Sequence, residues 1–207
     1  MNDAAATPAA ATATARLNPV PFLFLRHGET DWNAQGLSQG NVEIPLNGVG
    51  HAQAERAART LTGLGIATVV SSPLSRARVT AEIVAGALRL PVAVEDGLRE
   101  VAFGEQEGKP MGDWYDDWIA GAYTPEGGET FPALLERAVA AVNRATARPA
   151  PVLVVAHGAL FRALRRAFGL EPNVRTPNAL PIRCEPPAPG GGSAWTLTPI
   201  PLAPEGT

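Results

Sequence analysis

Two short apolar runs in this 207-residue chain each end just before a histidine that is followed by a glycine. The first run covers residues 20–25 and leads through Arg26 to His27, and the second covers residues 151–156 and leads to His157. Short, uninterrupted apolar runs are typical of strands that are buried on both faces, as in a parallel sheet. Ligands of open α/β sheets bind beyond the carboxyl ends of the strands. If the two strands are neighbours, both imidazoles therefore enter one crevice.

Between and after these runs, the pattern alternates between helix and strand. Apolar residues on one helical face predict a helix over 48–63, and Ser72 followed by Pro73 predicts the N-cap of a second helix. Further helices are predicted over 130–146 and from His157 to Gly169, and further strands over 66–70, 91–94 and 193–200. Such alternation implies an α/β fold whose parallel-rich sheet is covered on both faces.

Residues 96–130 interrupt this alternation with seven glycines and only one short helix, which is predicted around 114–119. A long irregular segment inside a compact domain usually has a function, so substrate selection is expected here. Its aromatic side chains either line the rim of a pocket or simply pack around the short helix. They are Trp114, Tyr115, Trp118 and Tyr123.

Charge and composition exclude some classes of protein. The net charge of −3 argues against a protein that grips nucleic acid or an anionic membrane, although local arginines can still hold a small anion. Residues 1–17 lack the basic start and long apolar run of a secretory signal, and they are predicted to form a disordered Ala/Thr-rich tail before a single domain over 18–207. The single cysteine, Cys184, is predicted to be incidental, and the expected location is the cytoplasm.

The two strand-end histidines leave several kinds of site open, because imidazole can act as nucleophile, base, metal ligand or cation. Metal sites usually add ligands at a fixed spacing such as His-Glu-x-x-His, and this sequence has no such spacing. Arg26 adjoins His27, and Arg76 lies in the first turns of the helix after Ser72. One guanidinium group can bind two phosphate oxygens at once, so a phosphate site is favoured. A metal-dependent hydrolase that uses His27 and His157 remains an alternative.

A series of ordered blocks between residues 20 and 180 carries a family resemblance. The blocks are Leu25-Arg26-His27-Gly28-Glu29-Thr30-x-x-Asn33, Pro45-Leu46-Asn47-x-x-Gly50-x-x-Gln53-Ala54, Ser71-Ser72-Pro73-Leu74-Ser75-Arg76-Ala77, Leu98-Arg99-Glu100-x-x-Phe103-Gly104-x-x-Glu107-Gly108, Gly127-Gly128-Glu129-Thr130 and Ala156-His157-Gly158. Together they resemble the histidine phosphatase superfamily, which includes the cofactor-dependent phosphoglycerate mutases. The usual Trp-Glu-Gly of the family is replaced by Gln106-Glu107-Gly108, which leaves the substrate undefined.

The resemblance implies a fold and a role for each matching residue. The implied fold is a three-layer α/β/α sandwich with a mostly parallel central sheet, of the phosphoglycerate mutase-like type. His27 would accept the phosphoryl group and Glu100 would donate a proton to the leaving oxygen. The implied phosphate-binding residues are Arg26, Asn33, Arg76, His157, Thr30 with its hydroxyl and Gly158 with its backbone N–H. No metal and no other cofactor is implied.

The implied chemistry makes demands on the two histidines. His27 must be neutral, and we expect a backbone carbonyl of the following loop to hold its second N–H. His157 is expected to be protonated, so that it neutralises phosphate charge together with Arg26 and Arg76. The remaining histidine, His51, lies off the apolar face of its helix and is assigned to solvent.

The predicted function is a phosphatase that hydrolyses a small phosphate monoester through a phosphohistidine. The interval between Glu100 and His157 is 157 − 100 = 57 residues, shorter than in the mutases, which favours hydrolysis. A phosphoglycerate mutase-type phosphotransferase and a non-catalytic phosphate-binding protein of the same fold are the alternatives. The expected partner is a small phosphorylated metabolite, with no nucleic acid and no membrane, and the oligomeric state stays open.

Overall fold

A six-stranded sheet with the strand order β3-β2-β4-β1-β5-β6 forms the centre of the computed structural model, which describes residues 16–190 and 192–204. The strands are β1 (Phe22–Arg26), β2 (Thr68–Ser71), β3 (Val92–Val94), β4 (Val152–Ala156), β5 (Pro181–Glu185) and β6 (Thr196–Pro199). The first four are parallel to one another, and β5 and β6 are antiparallel to their neighbours. The predicted tail lies outside the described residues, apart from Arg16 and Leu17.

Six helices accompany the strands in the described part of the chain. They are α1 (Asp31–Gln35), α2 (Gly48–Leu61), α3 (Ser75–Leu88), α4 (Trp114–Ala120), α5 (Phe131–Thr146) and α6 (Gly158–Ala167). Short 3₁₀ turns at Asp96–Leu98 and Gly104–Gln106 are the other regular pieces of the glycine-rich segment. None of the helices within the described residues is long and apolar enough to cross a membrane.

Strand β1 is apolar throughout because each of its faces is covered by a different pair of helices. Leu23 and Leu25 pack in one core with residues of α2 and α3. Phe22 and Phe24 pack in a second core with residues of α5 and α6, where the Phe24 and Phe161 rings stack at 4.1 Å. Alternate side chains of a strand point to opposite faces, so a strand between two helical layers needs apolar residues at every position. This arrangement confirms the predicted three-layer α/β/α sandwich.

One strand was missed, and one local prediction was wrong. Strand β5 was not predicted, because prolines at its start and after its end are typical of a loop. The burial of its side chains nevertheless alternates from Ile182 to Glu185, as in a strand that is covered on one face. Pro181 is tolerated because it is the first residue of the strand. Ser72 is not the N-cap of α3, since Leu74 holds that position without a side-chain cap. The Ser72 hydroxyl has a different partner, which is part of the site.

Candidate active site

The two strand-end histidines meet at the carboxyl edge of the sheet. Strands β1 and β4 are parallel neighbours, with Arg26 opposite Ala156, so the residue after each strand lies at the same edge. The His27 backbone N–H extends this pairing by donating to the Ala156 carbonyl at 3.0 Å. The centres of the His27 and His157 rings are 5.3 Å apart. The convergence expected from the sequence is therefore present.

His27 is held in one tautomer by its own loop. Its Nδ1 lies 2.7 Å from the Gly28 carbonyl oxygen, an acceptor, so Nδ1 carries the proton and Nε2 keeps its lone pair. This is the backbone carbonyl that was expected after His27. Burial lowers the pKa of His27 well below 6.5, and the Arg76 and Arg26 guanidinium groups lower it further. The imidazole is therefore neutral and has a free nucleophilic nitrogen.

The glycine after His27 has a packing role. A side chain at Gly28 would place its Cβ 2.3 Å from the Gly50 carbonyl oxygen, so glycine lets the His27 loop lie against the start of α2. The Gly28 N–H donates to the Thr80 hydroxyl at 3.0 Å. Glycine at this position therefore permits the close approach of two backbone segments.

Arg76 is buried beside His27 and is fixed by two backbone carbonyls. Its Nη2 donates to Gly40 at 2.7 Å and its Nη1 donates to Val42 at 2.8 Å. Burial lowers the pKa of Arg76, while the Glu100 carboxylate opposes this shift. The Nε of Arg76 is buried and has no hydrogen-bond partner. A buried donor without a partner is costly, so this N–H points to an anionic ligand.

Arg26 repeats this arrangement on the β1 side. Its Nη1 donates to the Thr176 carbonyl at 2.7 Å, and its Nε is buried without a partner. Burial lowers the pKa of Arg26 to about 10, which still leaves the group charged at neutral pH. Gly158 lies against this guanidinium, since a Cβ there would be 3.4 Å from Arg26 Nε. Two charged groups with unsatisfied donors therefore border the His27 ring.

Burial disfavours the protonated form of His157, the opposite of the charge expected from the sequence. Burial lowers its pKa well below 6.5, and the Arg76, His27 and Arg26 charges act in the same direction. Its Nε2 lies 2.7 Å from the Ser72 hydroxyl oxygen, which itself accepts from the Leu74 N–H at 3.3 Å. We expect the Ser72 O–H to donate to Nε2, and in that tautomer the ring proton is on Nδ1. That Nδ1 is buried without a partner, so the neutral ring offers one free donor.

Asn33 also has a donor that is free to bind a ligand, its side-chain N–H₂ group. Its Oδ1 accepts from the Thr30 N–H at 3.3 Å and from the Asn178 Nδ2 at 3.1 Å. Asn178 also donates to the His27 carbonyl at 2.9 Å. Both acceptor positions of the Asn33 oxygen are therefore used, and its Nδ2 is left for a ligand. Sequence reasoning missed Asn178, which lies in a loop after the recognised blocks.

Thr30 does not reach the ligand side. Its hydroxyl caps α1 by accepting from the Asn33 N–H at 3.2 Å and donates to the Gln39 Oε1 at 3.0 Å. The side chain is fully buried. Its hydroxyl fixes the start of α1, the helix that carries Asn33, and the expected contact with phosphate is not supported by its position.

Glu100 lies at the N-terminus of α6. Its Oε2 accepts from the Ala159 N–H at 2.9 Å, and its Oε1 accepts from the Leu160 N–H at 2.9 Å and from the Val101 N–H at 3.1 Å. Helix N-termini stabilise carboxylates, so the helix that follows His157 also fixes the candidate acid. The His27 backbone is bonded to the end of β4, and Glu100 is bonded to the start of α6. Two consecutive elements therefore hold the nucleophile and the candidate acid in place.

These residues surround a cleft of about 260 Å³. The predicted site residues that line it are Arg26, His27, Asn33, Arg76, Glu100 and Gly158. His157 and Thr30 do not line it. Among the four aromatic candidates only Tyr115 does so, whereas Trp118 is fully buried in the core. The cleft can hold a small anion between the guanidinium groups, with the His27 ring on one side and the Glu100 carboxyl on its wall.

A family model described as "Histidine phosphatase superfamily (branch 1)" matches residues 22–180, more than half of the chain. The chain belongs to the histidine phosphatase superfamily. The match includes every residue of the predicted site, from Arg26 to Gly158.

Two curated relatives of this histidine phosphatase superfamily member have names that point to different activities. "Uncharacterized phosphatase PhoE" of Bacillus subtilis is 38% identical over 143 residues, which are 68% of this chain and 72% of the relative. "Probable phosphoglycerate mutase GpmB" of Proteus mirabilis is 36% identical over 160 residues, 70% of this chain and 74% of the relative. A solved structure of mycobacterial glucosyl-3-phosphoglycerate phosphatase in complex with VO₃ has a TM-score of 0.75 at 28% identity, covering 86% of this chain and 97% of that one.

The Gly-Gly-Glu-Thr block of the superfamily member fixes the loop that carries Glu100. Glu129 pairs with Arg137 through two contacts, 2.9 Å to Nε and 2.6 Å to Nη2. The Arg137 Nη1 then donates to the Gly97 and Arg99 carbonyls at 3.0 and 2.8 Å. Arg137 was not singled out in the sequence, because only the contact with Glu129 distinguishes it from other arginines on helix surfaces.

The described residues contain no group of three or more His, Cys, Asp or Glu side chains that could hold a metal ion. Cys184 is buried in β5, and burial raises its pKa strongly. Its thiol is therefore poorly suited to act as a nucleophile. His51 is exposed, as predicted.

Replacement of Ser72 by alanine is expected to lower kcat/KM by about tenfold, because His157 loses the donor that fixes its tautomer. Nitrogen NMR of the His157 ring should show the proton on Nδ1 in the parent protein and a mixture of tautomers in Ser72→Ala. Ser71→Ala is the matched control, since Ser71 is equally buried and donates only to the Ser72 carbonyl. Equal rates and equal spectra for the two variants would contradict this role.

Proposed function

We propose that this protein is a phosphatase that hydrolyses small phosphate monoesters through a phosphohistidine at His27 Nε2. The observation that carries the proposal is the pairing of a neutral, oriented nucleophile with two buried guanidinium groups that line the cleft and whose Nε donors lack partners. These groups are Arg26 and Arg76, and the Nδ1 of the neighbouring His157 is a third buried nitrogen without a partner. Phosphate monoesters supply the acceptor oxygens that this set of donors needs.

In the first step, His27 Nε2 attacks phosphorus while the bond to the ester oxygen breaks. Charge spreads over the non-bridging oxygens in the transition state, and the Arg26 and Arg76 guanidinium groups neutralise it, while the neutral His157 ring contributes a hydrogen bond. Asn33 Nδ2 is a further donor. The leaving oxygen takes a proton from Glu100, so the products are the alcohol, phosphohistidine and the Glu100 carboxylate.

The Glu100 contacts indicate which of its oxygens carries that proton. Oε1 accepts two backbone N–H bonds and Oε2 accepts one. A carboxylate oxygen has about two acceptor positions, so Oε2 retains one for a proton. We infer that Oε2 donates to the leaving oxygen. In the second step, Glu100 accepts a proton from water, the water oxygen attacks phosphorus, and the bond to Nε2 breaks.

Two observations bear on the alternative mutase function. The relatives named as phosphoglycerate mutases support it, and the short interval of 57 residues (157 − 100) between Glu100 and His157 favours hydrolysis. A mutase must keep water away from the phosphohistidine while the substrate reorients. An assay of 2-phosphoglycerate formation from 3-phosphoglycerate, run beside phosphate release, separates the two. Phosphate release in excess of isomerisation supports the phosphatase.

Hydrolysis of an aryl phosphate is the primary test of this proposal. The protein should release phosphate at the same rate with and without a chelator, because the scheme uses no metal. Loss of activity with the chelator, restored by a divalent cation, would support the metal-dependent hydrolase instead. If no phosphate ester is hydrolysed, the alternative of a non-catalytic phosphate-binding protein is supported instead.

We also propose that the protein is located in the cytoplasm.

The lowered pKa of His27 has a consequence for pH dependence. Burial and the two arginines disfavour the protonated ring, so His27 remains neutral as the pH falls through 6.5 and gains a proton only at a lower pH. The acidic limb of the reaction should therefore lie below 6.5. Because a phosphate ester itself ionises near pH 6, the direct measurement is an NMR titration of the His27 ring without substrate. Protonation at or above pH 6.5 would contradict the prediction.

A further inference from the structure

Two more guanidinium groups line the cleft and have no part in the proposed phosphoryl transfer. Arg162 is on α6, one turn beyond Gly158, and Arg175 is in the loop between α6 and β5. Arg175 is exposed and Arg162 is half-buried. The cleft of a protein with net charge −3 thus contains four arginines.

Arg162 is fixed in place by Tyr115. Its Nη1 donates to the Tyr115 hydroxyl at 3.2 Å, and its guanidinium carbon lies 4.9 Å from the centre of the Tyr115 ring. The contact leaves the Arg162 Nε buried without a hydrogen-bond partner. An ordered cation with an unsatisfied donor in a cleft has the features of a ligand-binding group.

The charges of Arg162 and Arg175 have no carboxylate partner in the described part of the chain. In residues 16–190 and 192–204, neither group has a carboxylate within ion-pair distance, and Glu100 is the only carboxylate that lines the cleft. Glu100 is already bound to the N-terminus of α6. The two charges also contribute to the lowered pKa of Arg26. An anion from outside would relieve this repulsion.

We propose that Arg162 and Arg175 bind a second anionic group of the substrate, so that the preferred substrates are small phosphorylated acids. This inference rests on the proposed function, since it assumes that the first phosphate sits between Arg26 and Arg76. The second group is a carboxylate or another phosphate, because guanidinium binds both in the same two-pronged way.

Tyr115 is suited to complete this second anion site. Burial strongly raises the pKa of its phenol, so the hydroxyl stays protonated and carries no negative charge. Its oxygen accepts from Arg162, which leaves its O–H free to donate to the same anion. The uncharged donor and the two cations together select for an acid over an alcohol.

Matched pairs of substrates test the second anion site. 3-Phosphoglycerate and glycerol 3-phosphate differ by a carboxylate in place of a hydroxymethyl group, and fructose 1,6-bisphosphate and fructose 6-phosphate differ by a phosphate. The parent protein should prefer at least one acidic member by about 10- to 100-fold in kcat/KM, since charge-assisted hydrogen bonds contribute that much. The pair with the larger preference identifies the second group.

The variant Arg162→Met should abolish that preference by raising KM for the acidic member, with the neutral ester changed less than about threefold. Arg175→Met should weaken the preference in the same direction. Arg183→Met is the matched control, because Arg183 is exposed on β5 and is not part of the cleft. It removes the same charge and should leave the preference unchanged.

Three results would overturn the second anion site. One is a parent protein that does not discriminate within either pair, and another is an equal loss of both members in Arg162→Met, which would indicate a structural role toward Tyr115. The third is loss of the preference in Arg183→Met, which would indicate a general charge effect. In each case, hydrolysis of the neutral ester still supports the proposed function, and failure to hydrolyse any ester refutes that function separately.

Discussion

The variant His27→Ala is expected to lose phosphatase turnover by a factor of roughly 10⁴ or more, because no other described side chain can take over as nucleophile in the same position. The phosphoenzyme should disappear with it. The neighbouring arginines and His157 would still bind phosphate, so binding of inorganic phosphate, measured as protection against thermal unfolding, should persist. Loss of turnover with retained phosphate binding separates a missing nucleophile from a misfolded protein.

His51→Ala is the matched control for this experiment, since His51 is an exposed histidine at the start of α2. It should keep the parent rate. A His27→Ala protein that turns over within about tenfold of the parent would end the assignment of His27, because a covalent nucleophile contributes far more than that.

Replacement of Glu100 by glutamine should affect substrates according to their leaving group. Alkyl phosphates need a proton on the departing oxygen, so their kcat/KM should fall by about 10²–10⁴-fold. Phosphates of acidic phenols leave without a proton, and their phosphorylation step should change little. A plot of log kcat/KM against leaving-group pKa should therefore be shallow for the parent and steep for Glu100→Gln.

This variant needs its own control, because the Glu100 oxygens accept three backbone N–H bonds and the nitrogen that replaces one of these oxygens in glutamine cannot accept any. Some loss of stability is expected, and activity toward the activated aryl phosphate shows whether the site is still assembled. Glu105→Gln, an exposed neighbour in the same segment, should reproduce the parent plot. Equal losses of kcat/KM for alkyl and activated aryl esters would contradict the acid role of Glu100, because kcat/KM reports the phosphorylation step alone.

The convergence of the site was predictable from the sequence because it depends on sheet topology. Parallel strands have their carboxyl ends at one edge, so two apolar runs that end before His27 and His157 had to place them together once β1 and β4 were neighbours. The short helix and its aromatic residues were predicted as well, although the choice between rim and core was left open. Tyr115 lines the cleft and Trp118 packs in the core.

Other features depend on contacts that local patterns do not encode. Strand β5 alternates correctly from Ile182 onward, but flanking prolines made it resemble a loop. Ser72 precedes Pro73 as an N-cap does, and only the neighbouring strand shows that its hydroxyl serves His157. The charge of His157 was predicted wrongly because sequence gives no measure of burial, and burial is the main cause of its lowered pKa.

The site of phosphorylation is the most direct measurement of the central claim. The protein should be mixed rapidly with an aryl phosphate, quenched in alkali to preserve phosphohistidine, digested and sequenced by mass spectrometry, with phosphorus NMR to identify the modified nitrogen. Because Nδ1 is bound to the Gly28 carbonyl, the phosphate should be on His27 and on its Nε2 atom. Phosphate on His157, on Nδ1 of His27, or on no residue during steady turnover would contradict the account.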